Sequence, residues 1–336
     1  MDISKYFSGI SEKEYRALDR VSYSFLKVFS EVGPKAIIEG IPEVSGPGLT
    51  LGSIVDKRLS DVNYCIEDEY VVSDRTVDFS GDTHISKVYK FLKDNKDIVL
   101  EESDQATLNR IFGILEFKRN PTVNDEFWKD VAVINQINQG VNLVPQSEVD
   151  MANTMINTLQ THKYTTKLFS PDLGVESYNQ VAILFEYRGV KCKALIDKVL
   201  IDHNLKKIYL YDTKTGARYD FMDNFYKYKY MYQGGFYWKG FNSFIASIPE
   251  LSDYSLDMSF SFIYISRENP YLPLVYKMDF DYIAKINAGY ETVSGYKVKG
   301  IKELLEDYAW YKQNGIYDIK REIYESNGVV AIQSPK

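Results

Sequence analysis

Cysteine and histidine are scarce in this 336-residue sequence, and no apolar run approaches the roughly 20 residues needed to span a bilayer. The two cysteines, Cys65 and Cys192, stand 127 residues apart and form no C-x-x-C pair. Zinc fingers, iron–sulfur clusters and a disulfide scaffold are thereby removed. Cys192, in the apolar context KCKALI, is expected to be a buried thiol. With only His84, His162 and His203 available, any metal site must be built from carboxylates, which suits Mg²⁺ or Mn²⁺ better than zinc. The N-terminal stretch MDISKYFSGISEKEYR lacks the apolar segment of a secretory signal. A soluble, cytosolic protein without a membrane partner is the expectation.

What is present is ordinary globular composition: 45% hydrophobic, 26% charged, a net charge of −7, and no repeat or low-complexity tract. At roughly 150 residues per domain the length suggests about two units. Ser22 precedes YSFLKVF, whose Phe25, Leu26 and Phe29 share a helical face before Pro34. LTLGSIVDKRLSD is a second helix and carries Asp56. KVYKFL, TLNRIFGILEF, FWKDVAVINQI and VDMANTMINTL, between 84 and about 170, all keep a helical period. After Ser170-Pro171 the period becomes two in VAILFEY, KCKALIDKVLID and KKIYLYDTKT, separated by Arg188-Gly189 and Asp202-His203-Asn204. These predict three consecutive antiparallel strands. FMDNFYKYKYMYQGGFYWKGF then predicts a long aromatic helix over 221–242, FSFIYIS a fourth strand, and IKELLEDYAWYKQNG a closing helix stopped by glycine.

Asp197 lies in the second of those strands and Asp212 near the end of the third, so a hairpin brings them side by side. Lys214 follows Asp212 by two residues, which turns both side chains to one face. Glu176, ahead of the first strand, can supply a further carboxylate. An isolated D-x-K says little, because Asp and Lys on strands usually face water. Here both aspartates interrupt apolar strands, and burying them together is costly unless a cation neutralises them. Paired carboxylates that hold divalent ions, with a lysine beside them, suit metal-assisted phosphodiester hydrolysis.

ALIDKVLID followed by IYLYDTKTG resembles the paired motifs of the PD-(D/E)XK nuclease superfamily, in its RecB-like branch, whose third motif commonly reads D-x-K-T. Asp212-Thr213-Lys214-Thr215 matches it, and Gln233-Gly234-Gly235-Phe236-Tyr237 matches that branch's Q-x-x-x-Y helix. VSYSFLKVFSEVGPKA is similar to the S-x-S-x-L helix of phage and prophage exonucleases of the exodeoxyribonuclease VIII type. FIYISRENPYLPLVYKM is similar to their strand ending in E-x-x-P-Y, shortened here to Glu268-Asn269-Pro270-Tyr271. LGSIVDKRL stands where those proteins often place a histidine, and Asp56 replaces it. Ile196 occupies the proline position of the superfamily name. The resemblance covers about 22–60 and 147–315 and leaves 84–146 unexplained.

This resemblance implies an α/β fold: a restriction-endonuclease-like core with a mixed central sheet flanked by helices, plus a helical insertion. The expected organisation is N-terminal helices of the core in 1–83, a mainly helical subdomain in 84–170, and the catalytic core with the C-terminal helix in 171–336. It implies Asp197, Asp212 and Glu176 as catalytic metal ligands, the Thr213 carbonyl as a further ligand, and Lys214 as the catalytic lysine. Glu186 competes with Glu176, but its mid-strand position favours solvent. Gln233 and Tyr237 would contact DNA or brace the site, and Asp56 is a candidate metal ligand.

The implied activity is Mg²⁺- or Mn²⁺-dependent DNA exonuclease action in phage-type recombination or replication, in a phage or bacterial cytosol. A single-strand annealing protein is the implied partner, and relatives that form rings around DNA imply a homo-oligomer. An endonuclease on the same core, or a non-catalytic DNA-binding or assembly protein, are the alternatives. Charge favours a substrate groove: residues 176–239 hold eleven Lys and Arg against seven Asp and Glu, so the rest of the chain carries −11. Arg218, Lys227 and Lys229, interleaved with Tyr226, Tyr228 and Tyr230, are the phosphate- and base-binding candidates.

Overall fold

The computed structural model describes residues 7, 9–42, 47–73, 83–117, 119, 121–139 and 142–329. Two compact units result, one from 1–60 with 154–336 and the other from 61–153. In chain order the elements begin with α1 (Glu12–Ala17), α2 (Tyr23–Val32), α3 (Lys35–Glu39), α4 (Pro47–Ser60), β1 (Tyr70–Ser73), α5 (His84–Asp94), α6 (Gln105–Leu115) and α7 (Asp125–Asn138). They continue with β2 (Asn142–Pro145), α8 (Gln146–Thr161), α9 (Thr166–Phe169), β3 (Val175–Tyr187), β4 (Val190–Asp202), β5 (Lys207–Gly216), α10 (Phe221–Lys227) and α11 (Tyr230–Ile245). The last are β6 (Ser255–Leu256), β7 (Ser259–Ser266), β8 (Leu274–Asp279), α12 (Phe280–Ala288), β9 (Gly289–Glu291), β10 (Lys297–Lys299), α13 (Ile301–Asn314) and α14 (Arg321–Glu325). None of the described helices is long and apolar enough to cross a membrane.

In the smaller unit β1 and β2 pair in parallel, and α5, α6 and α7 enclose a core that includes Val88, Leu92, Leu108, Ile111, Val131 and Ile134. Each of these helices starts where a side-chain oxygen takes an otherwise orphaned amide: Thr83 for α5, Asp104 for α6 and Asn124 for α7.

The larger unit is a mixed α/β fold whose central sheet runs β3-β4-β5-β7-β8, with β6 also beside β5. β3–β4, β4–β5 and β7–β8 are antiparallel, as their short connections dictate. β5 and β7 are parallel, and α10 with α11 fills the crossover between them. Alternation sends Ile208 and Leu210 of β5, and Phe260, Phe262 and Tyr264 of β7, into one core with α2, α11, α12 and α13. The fold class expected from the sequence, a mixed central sheet flanked by helices, is the one this chain adopts.

Two differences from the sequence reading concern the central sheet and the helices that cross it. The helix predicted over 221–242 is two helices, because Lys229 adopts a left-handed φ of 54° between α10 and α11. The physical reason is tertiary: the Tyr23 hydroxyl donates to the Tyr228 carbonyl at 2.8 Å, which holds that turn against α2. β8 was not foreseen, since turn residues around Asn269-Pro270 mask it and half of it faces water at the sheet edge.

α11 packs close to β3 because Gly240 carries no side chain: a Cβ there would lie 2.5 Å from the Phe185 ring, which is buried against Phe236 at 5.1 Å between centroids. Gly240→Ala is expected to destabilise the chain by about 1–2 kcal/mol, because overpacking outweighs the gain in helix propensity. Denaturant melts check this; an unchanged or raised midpoint would show that the Phe185 ring yields freely.

Candidate active site

The strand register makes a fork. β4 pairs with β5 only as far as Lys198 opposite Tyr211. Beyond that point β4 stays with β3, through Ile196 opposite Val181, while β5 turns to β7, through Asp212 opposite Phe262. Asp197 and Asp212 are the first residues past the parting. With no strand partner on that side, the Thr213 amide donates instead to Asp197 Oδ2 at 2.8 Å. On β3 the residue facing Asp197 is Gln180, whose φ of 49° is left-handed and whose Nε2 reaches Asp197 Oδ1 at 3.4 Å. Core alternation also shifts here: Ile196 and Val199 both enter the same core, although the β3–β4 register runs on unbroken.

Asp212 continues the core face of β5 after Ile208 and Leu210, and only 1% of it is exposed. Its Oδ1 accepts from Gln233 Nε2 at 2.5 Å, and its Oδ2 is ion-paired with the Lys214 ammonium. Burial, and next the charge of Asp197, push the Asp212 carboxyl up to about 7. Burial raises Asp197 too, against the opposing pull of Lys214 and the Thr213 amide. Burial alone would depress the Lys214 ammonium; the charges of Asp212 and Asp197 overcome it and hold the group well above its usual range. Lys214 keeps an open edge, its side chain 18% exposed, and its Nζ lies 5.0 Å from the centroid of the Tyr230 ring.

The other predicted residues are placed as follows. Gln233 does not point to solvent but holds Asp212, and its own Oε1 is buried without a hydrogen-bond partner among the described residues. Tyr237, one turn on, is buried beneath the pair with its ring 6.3 Å from that of Tyr23; burial above all keeps its hydroxyl un-ionised. Lys229 is tied to Ser30 at 2.9 Å and Glu31 at 3.6 Å. Arg218 is exposed just past the end of β5.

Glu176 is not brought to the aspartates. It lies within β3, not ahead of it, opposite Ile201, four residues beyond Asp197 along β4. At about 3.3 Å per residue that is roughly 13 Å. There it accepts from the Tyr178 hydroxyl and lies 3.3 Å from His203 Nε2. Glu186 is exposed opposite Lys191, toward the other end of β3. Asp56 is half-buried on α4, between two anchors: a Cβ at Gly52 would be 2.9 Å from Thr215 Oγ1, and the Leu59 carbonyl accepts from Asn179 Nδ2 at 3.2 Å. α4 therefore crosses from β5 to β3 with Asp56 in between.

Tyr23 and Gln180 went unnoticed in the sequence, and Tyr230 stood there as a base-stacking candidate, not as a neighbour of Lys214. Tyr23 and Tyr230 sit close enough to Lys214 and Asp212 to feel their charges. Tyr230 had a signal, since it lies one helical turn before Gln233, but aromatics crowd that segment. Nothing in the sequence announces the bend at Gln180.

The donor set suits a hard divalent cation. It is all oxygen, and whenever both carboxylates are ionised the single ammonium leaves one negative charge uncompensated in a largely buried fork. The orphaned Gln233 Oε1 adds an acceptor beside them. Elsewhere among the described residues, one acidic trio is close enough to share an ion: Glu303, Asp307 and Glu322. Lys299 already bonds Asp307 at 2.7 Å and Glu322 at 2.8 Å, and Arg321 joins them, so that trio is a salt-bridge network.

No protein-family model matches the chain, and no curated protein does. Among solved structures, one from Eubacterium rectale described as a "Putative exonuclease" aligns over 97% of this chain and 96% of its own, at 13% identity and a TM-score of 0.46. A protein from Vibrio cholerae aligns over 88% of this chain and 61% of its own, at 11% identity and a TM-score of 0.16.

Proposed function

We propose that this chain is a Mg²⁺- or Mn²⁺-dependent DNA nuclease, acting as an exonuclease in phage-type recombination or replication. The observation that carries the reading is the Asp197–Asp212 pair in a strand fork, Asp212 buried and Asp197 half-buried, with the Lys214 ammonium against Asp212. Asp197, Asp212 and the Thr213 carbonyl would hold the metal, with Asp56 of α4 the candidate for a further carboxylate. The ion, when bound, supplies a polarised phosphoryl oxygen and an acidified water.

The chain's own residues do the rest. Gln233 fixes the Asp212 carboxylate in one orientation through its 2.5 Å bond. Lys214 presents its Nζ proton donors at the open edge of the site, where they orient the attacking water or meet charge developing on the phosphoryl oxygens. The attacking oxygen forms a bond to phosphorus as the bond to the leaving oxygen breaks. Tyr23 and Tyr237 line the buried side and keep bulk water from the carboxylates. Arg218 offers a phosphate contact at the end of β5, and Lys229 acts through the turn it anchors. DNA is the substrate, with a single-strand annealing protein as partner and a homo-oligomer as the assembly.

The test is cleavage of a linear duplex labelled at each 5′ end, beside a covalently closed circle, with and without Mg²⁺. Wild type is expected to release label from the linear substrate only, and Asp212→Ala to release none. Cutting of the circle would replace the exonuclease by an endonuclease. Silence on both substrates in Mg²⁺ and Mn²⁺ would leave a non-catalytic DNA-binding protein.

A further inference from the structure

The turn between α10 and α11 carries three tyrosines and two lysines that the chemistry of the fork does not use. It is built, not loose. The Tyr23 hydroxyl holds the Tyr228 carbonyl at 2.8 Å, and Lys229, in its left-handed conformation, bonds Ser30 at 2.9 Å. A non-glycine residue at such a φ costs about 1 kcal/mol or more and persists only where its surroundings impose it. The result is that the Tyr228 ring is presented at the surface, 37% exposed, with Tyr226 beside it at 56%.

Two ammoniums lie over that ring, Lys27 of α2 and Lys227 of α10, each 5.3 Å from its centroid. Neither has an acidic partner within ion-pair distance among the described residues. An aromatic face with two uncompensated cations on flexible stems is complementary to a nucleotide: the ring takes a base, and the stems swing to the flanking phosphates. The position is also apt. The Tyr228 and Tyr230 centroids are 5.7 Å apart, and Tyr230 in turn lies 5.0 Å from Lys214 Nζ, so the rings step from the surface into the fork.

We infer that Tyr228, flanked by Lys27 and Lys227, is a stacking platform for an unpaired base next to the scissile phosphate, so that the chain engages a single-stranded end. A paired base has both faces covered by its neighbours in the stack, so only an unpaired or frayed one offers a face to this ring. The inference rests on the nuclease reading, whose substrate it narrows.

The experiment is equilibrium binding in EDTA, without cleavage, of a fluorescein-labelled 12-residue oligo-dT and of a blunt duplex of equal length. Tyr228→Ala is expected to weaken single-strand binding at least about 5-fold, as loss of one stacked base implies, and duplex binding less than twofold. Tyr228→Trp should restore it. A 2-aminopurine placed near the end should be quenched by wild type and Tyr228→Trp but not by Tyr228→Ala. Lys27→Gln with Lys227→Gln should lower the slope of log Kd against log salt by about 1.4, as the loss of two phosphate contacts on a single strand predicts.

The ring can be removed without the turn, because Tyr23 bonds the Tyr228 backbone and not its side chain. Equal weakening on both substrates, or unchanged single-strand affinity with an unquenched probe, overturns the platform. The two readings fail separately: single-strand binding that depends on Tyr228 with no cleavage in metal sinks the nuclease alone, and metal-dependent cleavage with Tyr228-independent binding sinks the platform alone.

Discussion

Lys214→Ala is expected to slow metal-dependent cleavage by roughly 10²–10³-fold, the range for removing one donor from a developing oxyanion, with DNA affinity nearly unchanged. The structure adds a consequence for stability. With the ammonium gone, two carboxylates face each other in a buried fork, and breaking a buried pair by deleting one partner costs about 3 kcal/mol or more. That cost should be largest at pH 8 and shrink toward pH 5. Asp212, already pushed up to about 7 with the lysine present, rises further without it and takes a proton across that interval. Mg²⁺ should restore part of the lost melting temperature in the variant and do less for wild type, since the cation then supplies the charge that Lys214 no longer does. Joint loss of DNA binding and cleavage would assign Lys214 to the shape of the site instead of its chemistry.

Asp212→Asn should do the opposite to stability while also ending cleavage. The fork holds two carboxylates and one ammonium, so removing the ammonium worsens the imbalance and removing a carboxylate cures it. The folded-state pKa of Asp212 is raised from 3.8 to about 7, which means the native chain binds the proton more tightly than the unfolded chain. Below about pH 4 both states are protonated and the carboxyl costs nothing. From pH 4 to 7 the unfolded state ionises first and native stability falls, and above 7 the full penalty is present. Three units correspond to about 4 kcal/mol. Part of this is forfeited because an asparagine amide meets the Lys214 ammonium less well than a carboxylate does, so a gain of about 2 kcal/mol at pH 8 is expected. Thermal melts of the metal-free variant at pH 4 and pH 8 measure it. Destabilisation at pH 8 would mean that the Lys214 ion pair outweighs the burial of its partner.

Much of the site could be read along the chain because it depends on local periodicity. Asp212 and Lys214 share a face by the period of two in a strand. Gln233 reaches the pair from α11, as the resemblance to the Q-x-x-x-Y helix implied, though the residue it touches is Asp212 itself. The antiparallel meander was equally legible, since turn chemistry and alternation agree there. Glu176 was not, because its distance from Asp197 is set by register, and register is a property of two strands. The break at Tyr228–Lys229 was hidden for a similar reason: every residue of that segment tolerates a helix, and the bond that interrupts it comes from Tyr23, about 200 positions earlier in the sequence.

By itself, then, the sequence determined that this protein has an α/β sheet, that any metal it held would need carboxylate ligands, and that Asp212 and Lys214 share one strand face. These follow from composition and from short-range spacing, which the backbone's fixed periods convert directly into geometry. Only the tertiary structure decided that β4 and β5 part between Lys198 and Asp197, which carboxylate stands apart, and that a turn of tyrosines borders the lysine. Those depend on where strands separate and on which distant side chain satisfies a backbone group, and contacts between residues far apart in the chain leave no periodic trace within it.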